Sequence, residues 1–240
     1  MTAPLYFTRA ELRRDASMAA VRQLLNPTGD SARFSAGHQL VWTLFAGDPA
    51  QKRDFLWREA KPGLFYVLSR RRPEDPHGLF DLDEPKPFEP NLREGDRLAF
   101  SLRANATVAR GEEHGRRGKP CDVVMDVLYR MPKTERAVSR SATIDKAGYE
   151  WLARRGEKDG FDISSEPKEG HRETSSGSSA RVLSYRTLTL PRRGKPARIG
   201  VLDFEGKLQV TDPERFLRAI ANGVGRAKAF GCGLMLIRRV

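Results

Sequence analysis

Apolar residues along the chain fall into short alternating runs interrupted by stretches of helical spacing. Residues 5–11 read as a strand. Phe34, Val41 and Leu44, with Leu40 and Phe45 beside them, predict a helix over 32–45. Gly37 weakens that helix, and Gly47 with Pro49 ends it. Residues 55–59 and 64–69 flank Lys61, Pro62 and Gly63, a hairpin signature. Leu98, Phe100 and Leu102 alternate with polar neighbours over 97–104, which predicts the closing strand of a first unit.

The second half repeats the order. Residues 123–128 read as a strand, and 146–156 as a helix ending at glycine. Residues 181–190 and 197–203 flank a basic tip containing Arg192, Arg193, Gly194 and Lys195, and 204–210 continues the sheet. Asp212 caps a helix with Pro213 at its first position, whose Phe216, Leu217 and Ile220 face inward. Residues 234–237 form the last strand. Two consecutive β-α-β-β-α-β orders predict an α+β chain of two tandem ferredoxin-like domains, the first without a convincing second helix. The polar, glycine-rich stretch 110–120 places the division near residue 112, giving domains 1–112 and 113–240.

Charge separates the halves. Residues 1–112 hold 17 Lys/Arg against 15 Asp/Glu, and residues 113–240 hold 26 against 16. An excess of +10 in one half points to a polyanionic partner; a basic surface serving only solubility is the competing reading. No run of ~18 apolar residues and no signal-type N-terminus occurs, and the two cysteines, Cys121 and Cys232, read as packing residues. The expectation is a cytoplasmic protein with no membrane contact. Phosphate-binding G-x-x-x-x-G-K-[ST], dinucleotide-binding G-x-G-x-x-G and nucleophile-elbow G-x-S-x-G patterns are missing, and the four histidines lack ligand spacing. No cofactor and no metal are expected.

The most specific segment runs from Gly223 to Leu234. Gly223, Gly225, Gly231 and Gly233 surround Arg226 and Lys228, so bare backbone N–H groups and cations suit a phosphate chain; a turn that only packs helix on sheet is the alternative. With Lys228 and Leu234 in register, this segment resembles the G-x-G-x-x-K-x-x-G-x-G-L loop of the CasE family, the CRISPR RNA-processing endoribonucleases of type I-E Cascade. Phe88, Pro90 and Leu92 leading into Leu102-Arg103-Ala104-Asn105, Trp151-Leu152-Ala153-Arg154-Arg155, Phe204-Glu205-Gly206 and Asp212-Pro213-Glu214 are similar to further family segments, in the same order.

The resemblance implies a catalytic role for His38, which precedes Leu40, Val41 and Trp42 as the family histidine precedes its helix segment. It also implies RNA contacts from the basic hairpin: Arg192, Arg193 and Lys195, with Arg186 and Arg198 flanking. A solvated turn is the bland reading of that tip. RNA carries its own nucleophile, the 2′-hydroxyl, so one imidazole titrating near neutrality suffices for acid/base work worth ~10²–10⁴ in rate. Ser35 stands where the family often has a tyrosine, which favours the alternative of a non-catalytic RNA-hairpin-binding module. The implied partners are CRISPR repeat RNA and other Cascade subunits. The stacking motif of an RRM is missing, which counts against a general RNA-binding domain.

Overall fold

The computed structural model describes residues 4–13, 30–45, 51–110, 118–164, 179–190 and 197–240, with residues 30–35 described in backbone only. The chain forms two compact units, Met1–Asn91 with Leu188–Arg198 and Ala227–Leu234, and Leu92–Thr187 with Ile199–Arg226 and Met235–Val240.

The first unit holds β1 (Tyr6–Leu12), α1 (Asp30–Trp42) running into a 3₁₀ turn at Thr43–Phe45, β2 (Phe55–Lys61), β3 (Leu64–Ser69), β4 (Phe80–Leu82) and β5 (Lys86–Pro87). The sheet is antiparallel in the order β2-β3-β1-β4, with β5 also on β1. Gly63 turns the β2–β3 hairpin at φ +78°, a left-handed angle that glycine adopts without Cβ strain, and donates its N–H to Glu59. One side of the sheet closes over Leu40, Val41, Leu44 and Phe45 of the helical segment, packed with Phe55, Trp57, Phe65 and Phe80. Burial of such a face, about 25 cal/mol per Å² of apolar area, is what orders the short helix.

The second unit holds β6 (Arg97–Ala104), β7 (Thr107–Ala109), β8 (Pro120–Asp122), α2 (Val123–Arg130), α3 (Arg140–Asp159), β9 (Phe161–Asp162), α4 (Pro213–Asn222) and β12 (Met235–Arg239), with β10 (Ala180–Leu190) and β11 (Ala197–Val210) except for their tips, Leu188–Leu190 and Ala197–Arg198, which fall in the first. Its sheet order is β10-β11-β6-β12, with β9 on β11. Helix α3 approaches the sheet closely at Gly148, where a Cβ would stand 2.6 Å from Val182, and Trp151 stacks on Phe204. Asp212 caps α4 by accepting from the Arg215 N–H, as the Asp-Pro pair predicts. In both units the central pair of strands is the third and first, flanked by the second and fourth. This is the ferredoxin-like arrangement, and the fold is two such units in tandem.

Three expectations about the elements change. The strand over 97–104 exists, but it is the first strand of the second sheet, between β11 and β12, so the division falls after Asn91 rather than near 112. Its alternation reported a half-buried strand and carried no information about its partner. The first unit is closed instead by the short β4 and β5, in an acid-rich stretch. Residues 123–128 form helix, not strand: Asp122 accepts the N–H groups of Val124 and Met125, and a capped helix buries Val124 and Leu128 four residues apart. Among the described residues no helix is long and apolar enough to cross a membrane.

Candidate functional site

His38 lies on α1, half-buried, in an aromatic corner of the first unit. Its ring is 6.2 Å from that of Trp42, edge on, and 6.5 Å from that of Phe55. The Trp42 indole N–H donates to His38 Nε2 at 3.0 Å, across one turn of the same helix. That contact makes Nε2 the unprotonated nitrogen of a neutral imidazole. Burial, and secondly the Arg53 guanidinium, hold the imidazole below its ordinary value of 6.5. The group that results is a neutral base at pH 7.

Beside it, Gly37 has a packing reason that the sequence did not disclose. A Cβ there would come within 2.6 Å of Cη2 of Trp57, a residue only 1% exposed. On the same ring a Cβ at Gly231 would come within 3.1 Å. The later part of the glycine loop thus belongs to the first unit: its 3₁₀ turn, Lys228–Phe230, packs against α1 and β2. His38 and Lys228, 190 positions apart, share one compact unit.

All four loop glycines have positive φ: Gly223 at 78°, Gly225 at 83°, Gly231 at 70° and Gly233 at 95°. Ala227 joins them at 55°, the one non-glycine among the described residues with positive φ. In the second unit Arg226 bridges to Asn105, the last residue of the Leu-Arg-Ala-Asn segment, and Gly225 sits against the Trp151 ring. The glycines therefore shape the loop and let it lie close to aromatic rings. Gly223, Gly225 and Arg226 fall in the second unit, and Lys228, Gly231 and Gly233 in the first.

The remaining candidates scatter. Arg186 donates to Asp203 at 2.9 Å, within a cluster where Asp203 also accepts from Arg103 at 2.8 Å and Ser184 at 2.9 Å. Arg198 is exposed at the start of β11. Arg192, Arg193 and Lys195 lie outside the described residues. Ser35 lies in the backbone of α1, and its side chain is likewise outside them. Cys232 is buried, but Cys121 is exposed, so only the former packs as expected. Among the described residues no three of His, Cys, Asp and Glu stand close enough to hold a metal ion.

Two neighbours of His38 escaped the sequence reading. Trp42 was legible only as a helix residue, although its i,i+4 spacing to His38 was the available signal. Arg53 sits in the polar run Gln51-Lys52-Arg53-Asp54, where nothing in the sequence distinguishes it.

The chain is 30% identical to the CRISPR-associated endoribonuclease Cse3 of Thermus thermophilus, over 92% of this chain and 94% of that protein. It is 26% identical to the CRISPR system Cascade subunit CasE of Escherichia coli, over 82% and 88% respectively. A solved structure of the Thermus thermophilus Cse3 bound to an RNA representing a pre-cleavage complex superposes with a TM-score of 0.65 at 27% identity, covering 98% of this chain and 99% of that one. Residues 5–239 match the family model described as CRISPR associated protein, and the chain belongs to that family as a CasE-type member.

Proposed function

We propose that this protein is an endoribonuclease that cuts CRISPR repeat RNA at a stem-loop without a metal ion and remains on the product as a Cascade subunit in the cytoplasm. The observation that carries the reading is the packing of the Lys228–Phe230 turn against the helix that bears His38, which brings a base and the later part of the glycine loop, with Lys228, into one unit. The relatives named for endoribonuclease activity and Cascade membership support it.

The chemistry follows from the imidazole. Held below 6.5, His38 is neutral at physiological pH and ready to accept the 2′-hydroxyl proton. Its Nε2 lone pair faces the Trp42 N–H, so RNA takes the place of the indole as the partner of that nitrogen. The 2′-oxygen attacks phosphorus, the bond to the 5′-oxygen breaks, and the products are a 2′,3′-cyclic phosphate and a 5′-hydroxyl. Lys228 and the N–H groups beside it meet the phosphate chain in the first unit, and Arg226 of the second unit is a further phosphate contact, while Arg192, Arg193, Lys195 and Arg198 meet the stem. Arg186 is engaged by Asp203 within the second sheet.

Ser35 in place of the family tyrosine favours a second reading, an RNA-hairpin binder without cleavage. One gel separates the two. Repeat RNA incubated with the protein and EDTA is expected to be cut, and the same RNA with a 2′-deoxy nucleotide upstream of the cut is expected to stay intact. Tight binding with no cleavage of either RNA would establish the second reading.

A further inference from the structure

We infer that Arg53 is a catalytic residue whose guanidinium holds the non-bridging oxygens of the scissile phosphate beside His38. The inference rests on the endoribonuclease reading above. Arg53 stands two residues before β2, whose first residue, Phe55, puts its ring 6.5 Å from that of His38. The adjacent Asp54 pairs instead with Arg71, whose Nε and Nη2 donate to its two oxygens at 2.8 and 3.0 Å. Nη1 of Arg53 is buried and has no hydrogen-bond partner among the described residues.

A half-buried cation with an unpaired N–H is costly, because a buried donor without a partner has given up its hydration, and a charged one has given up more. Burial accordingly lowers the Arg53 pKa, and its charge in turn lowers that of His38. The cost is offset when an anion arrives. A guanidinium presents parallel donors that fit two oxygens of one phosphate, and the only anion His38 chemistry requires at this place is the phosphodiester. In the reaction the 2′-O–P bond forms and the P–O5′ bond breaks. The 2′ proton passes to His38 and the leaving oxygen takes one from water. Arg53 transfers no proton, and its role is to meet the charge that grows on the two non-bridging oxygens.

The test is single-turnover cleavage at saturating repeat RNA by wild type, Arg53→Met, Arg53→Lys and His38→Ala, with melting curves for each. Arg53→Met is expected to cleave ~10²-fold more slowly while binding 2′-deoxy RNA within a few-fold of wild type. Arg53→Lys, which keeps the charge and loses the fork, is expected to fall between them. A phosphorothioate at the cut is expected to slow wild type more than Arg53→Met, an outcome that a purely structural role for Arg53 would not produce. Wild-type rates in both Arg53 variants, or an equal thio effect in all proteins, would overturn the inference. If Arg53→Met does not fold, a wild-type rate and thio effect in Arg53→Lys overturn it alone. A wild-type protein that cuts nothing would sink the functional reading and this inference together, whereas loss in His38→Ala with normal Arg53 variants sinks this inference only.

Discussion

Trp42 and His38 are joined along one helix face, the indole N–H meeting Nε2 at 3.0 Å. The pair fixes which imidazole nitrogen is free of a proton and turns the ring between Trp42 and Phe55. A hydrogen bond donated to the neutral form disfavours protonation, in the same direction as burial and Arg53.

The pH dependence follows. A base acts when deprotonated, so kcat/KM rises with pH through the free-protein pKa of His38 and then levels. That pKa is lowered from 6.5, so the acid limb is expected below 6.5. Trp42→Phe keeps an aromatic ring near Phe55 and removes the donor, and the limb is expected to move to higher pH. A limb at or above 6.5 in wild type, or one unmoved by the substitution, contradicts this account of the ring.

Gly37→Ala tests the closeness of α1 to Trp57. Helix propensity alone would make this change stabilising by about 1 kcal/mol. A Cβ 2.6 Å from Cη2 opposes it, and overpacking of this kind costs roughly 1–3 kcal/mol. The net expectation is destabilisation, seen as a lower urea midpoint, with recovery in Gly37→Ala/Trp57→Phe. A midpoint above wild type for the single variant would mean that the helix has room to shift.

Gly37 also shows why part of the site was unreadable. In sequence it is a helix-weakening residue; its reason lies on β2, twenty positions away, in a ring that the sequence pattern placed only within one arm of a hairpin. The strand over 97–104 teaches the same lesson at fold level, since alternation gives a face and not a partner. By contrast the Asp212-Pro213 cap and the Gly63 hairpin were legible, because those signals are satisfied within a few residues of themselves. The helix after Asp122 was missed because six residues rich in valine fit a strand as well as two turns, and only the cap decides.

Asp203 anchors the second sheet. Burial alone would raise its pKa, but Arg103, Ser184 and Arg186 outweigh that and lower it from 3.8. A depressed carboxylate contributes stability above its unfolded pKa and loses it as pH falls through the folded value. Asp203→Asn is expected to cost about 3 kcal/mol at pH 7 by urea unfolding, since two arginines then face a neutral group. The difference is expected to shrink as pH drops below 3.8. A difference independent of pH would remove the charge from the explanation.

The basic tip is tested by salt. Arg192→Ala/Arg193→Ala is expected to weaken stem-loop binding and flatten its salt dependence, because each lost phosphate contact releases roughly one counterion fewer. An unchanged slope and affinity would return these residues to a solvated turn.

The most direct measurement of the central claim is single-turnover cleavage of repeat RNA by His38→Ala in EDTA. The account predicts a rate lower by about 10²-fold or more beside a fully active wild type, with RNA affinity nearly unchanged. Cleavage by His38→Ala at the wild-type rate would contradict it.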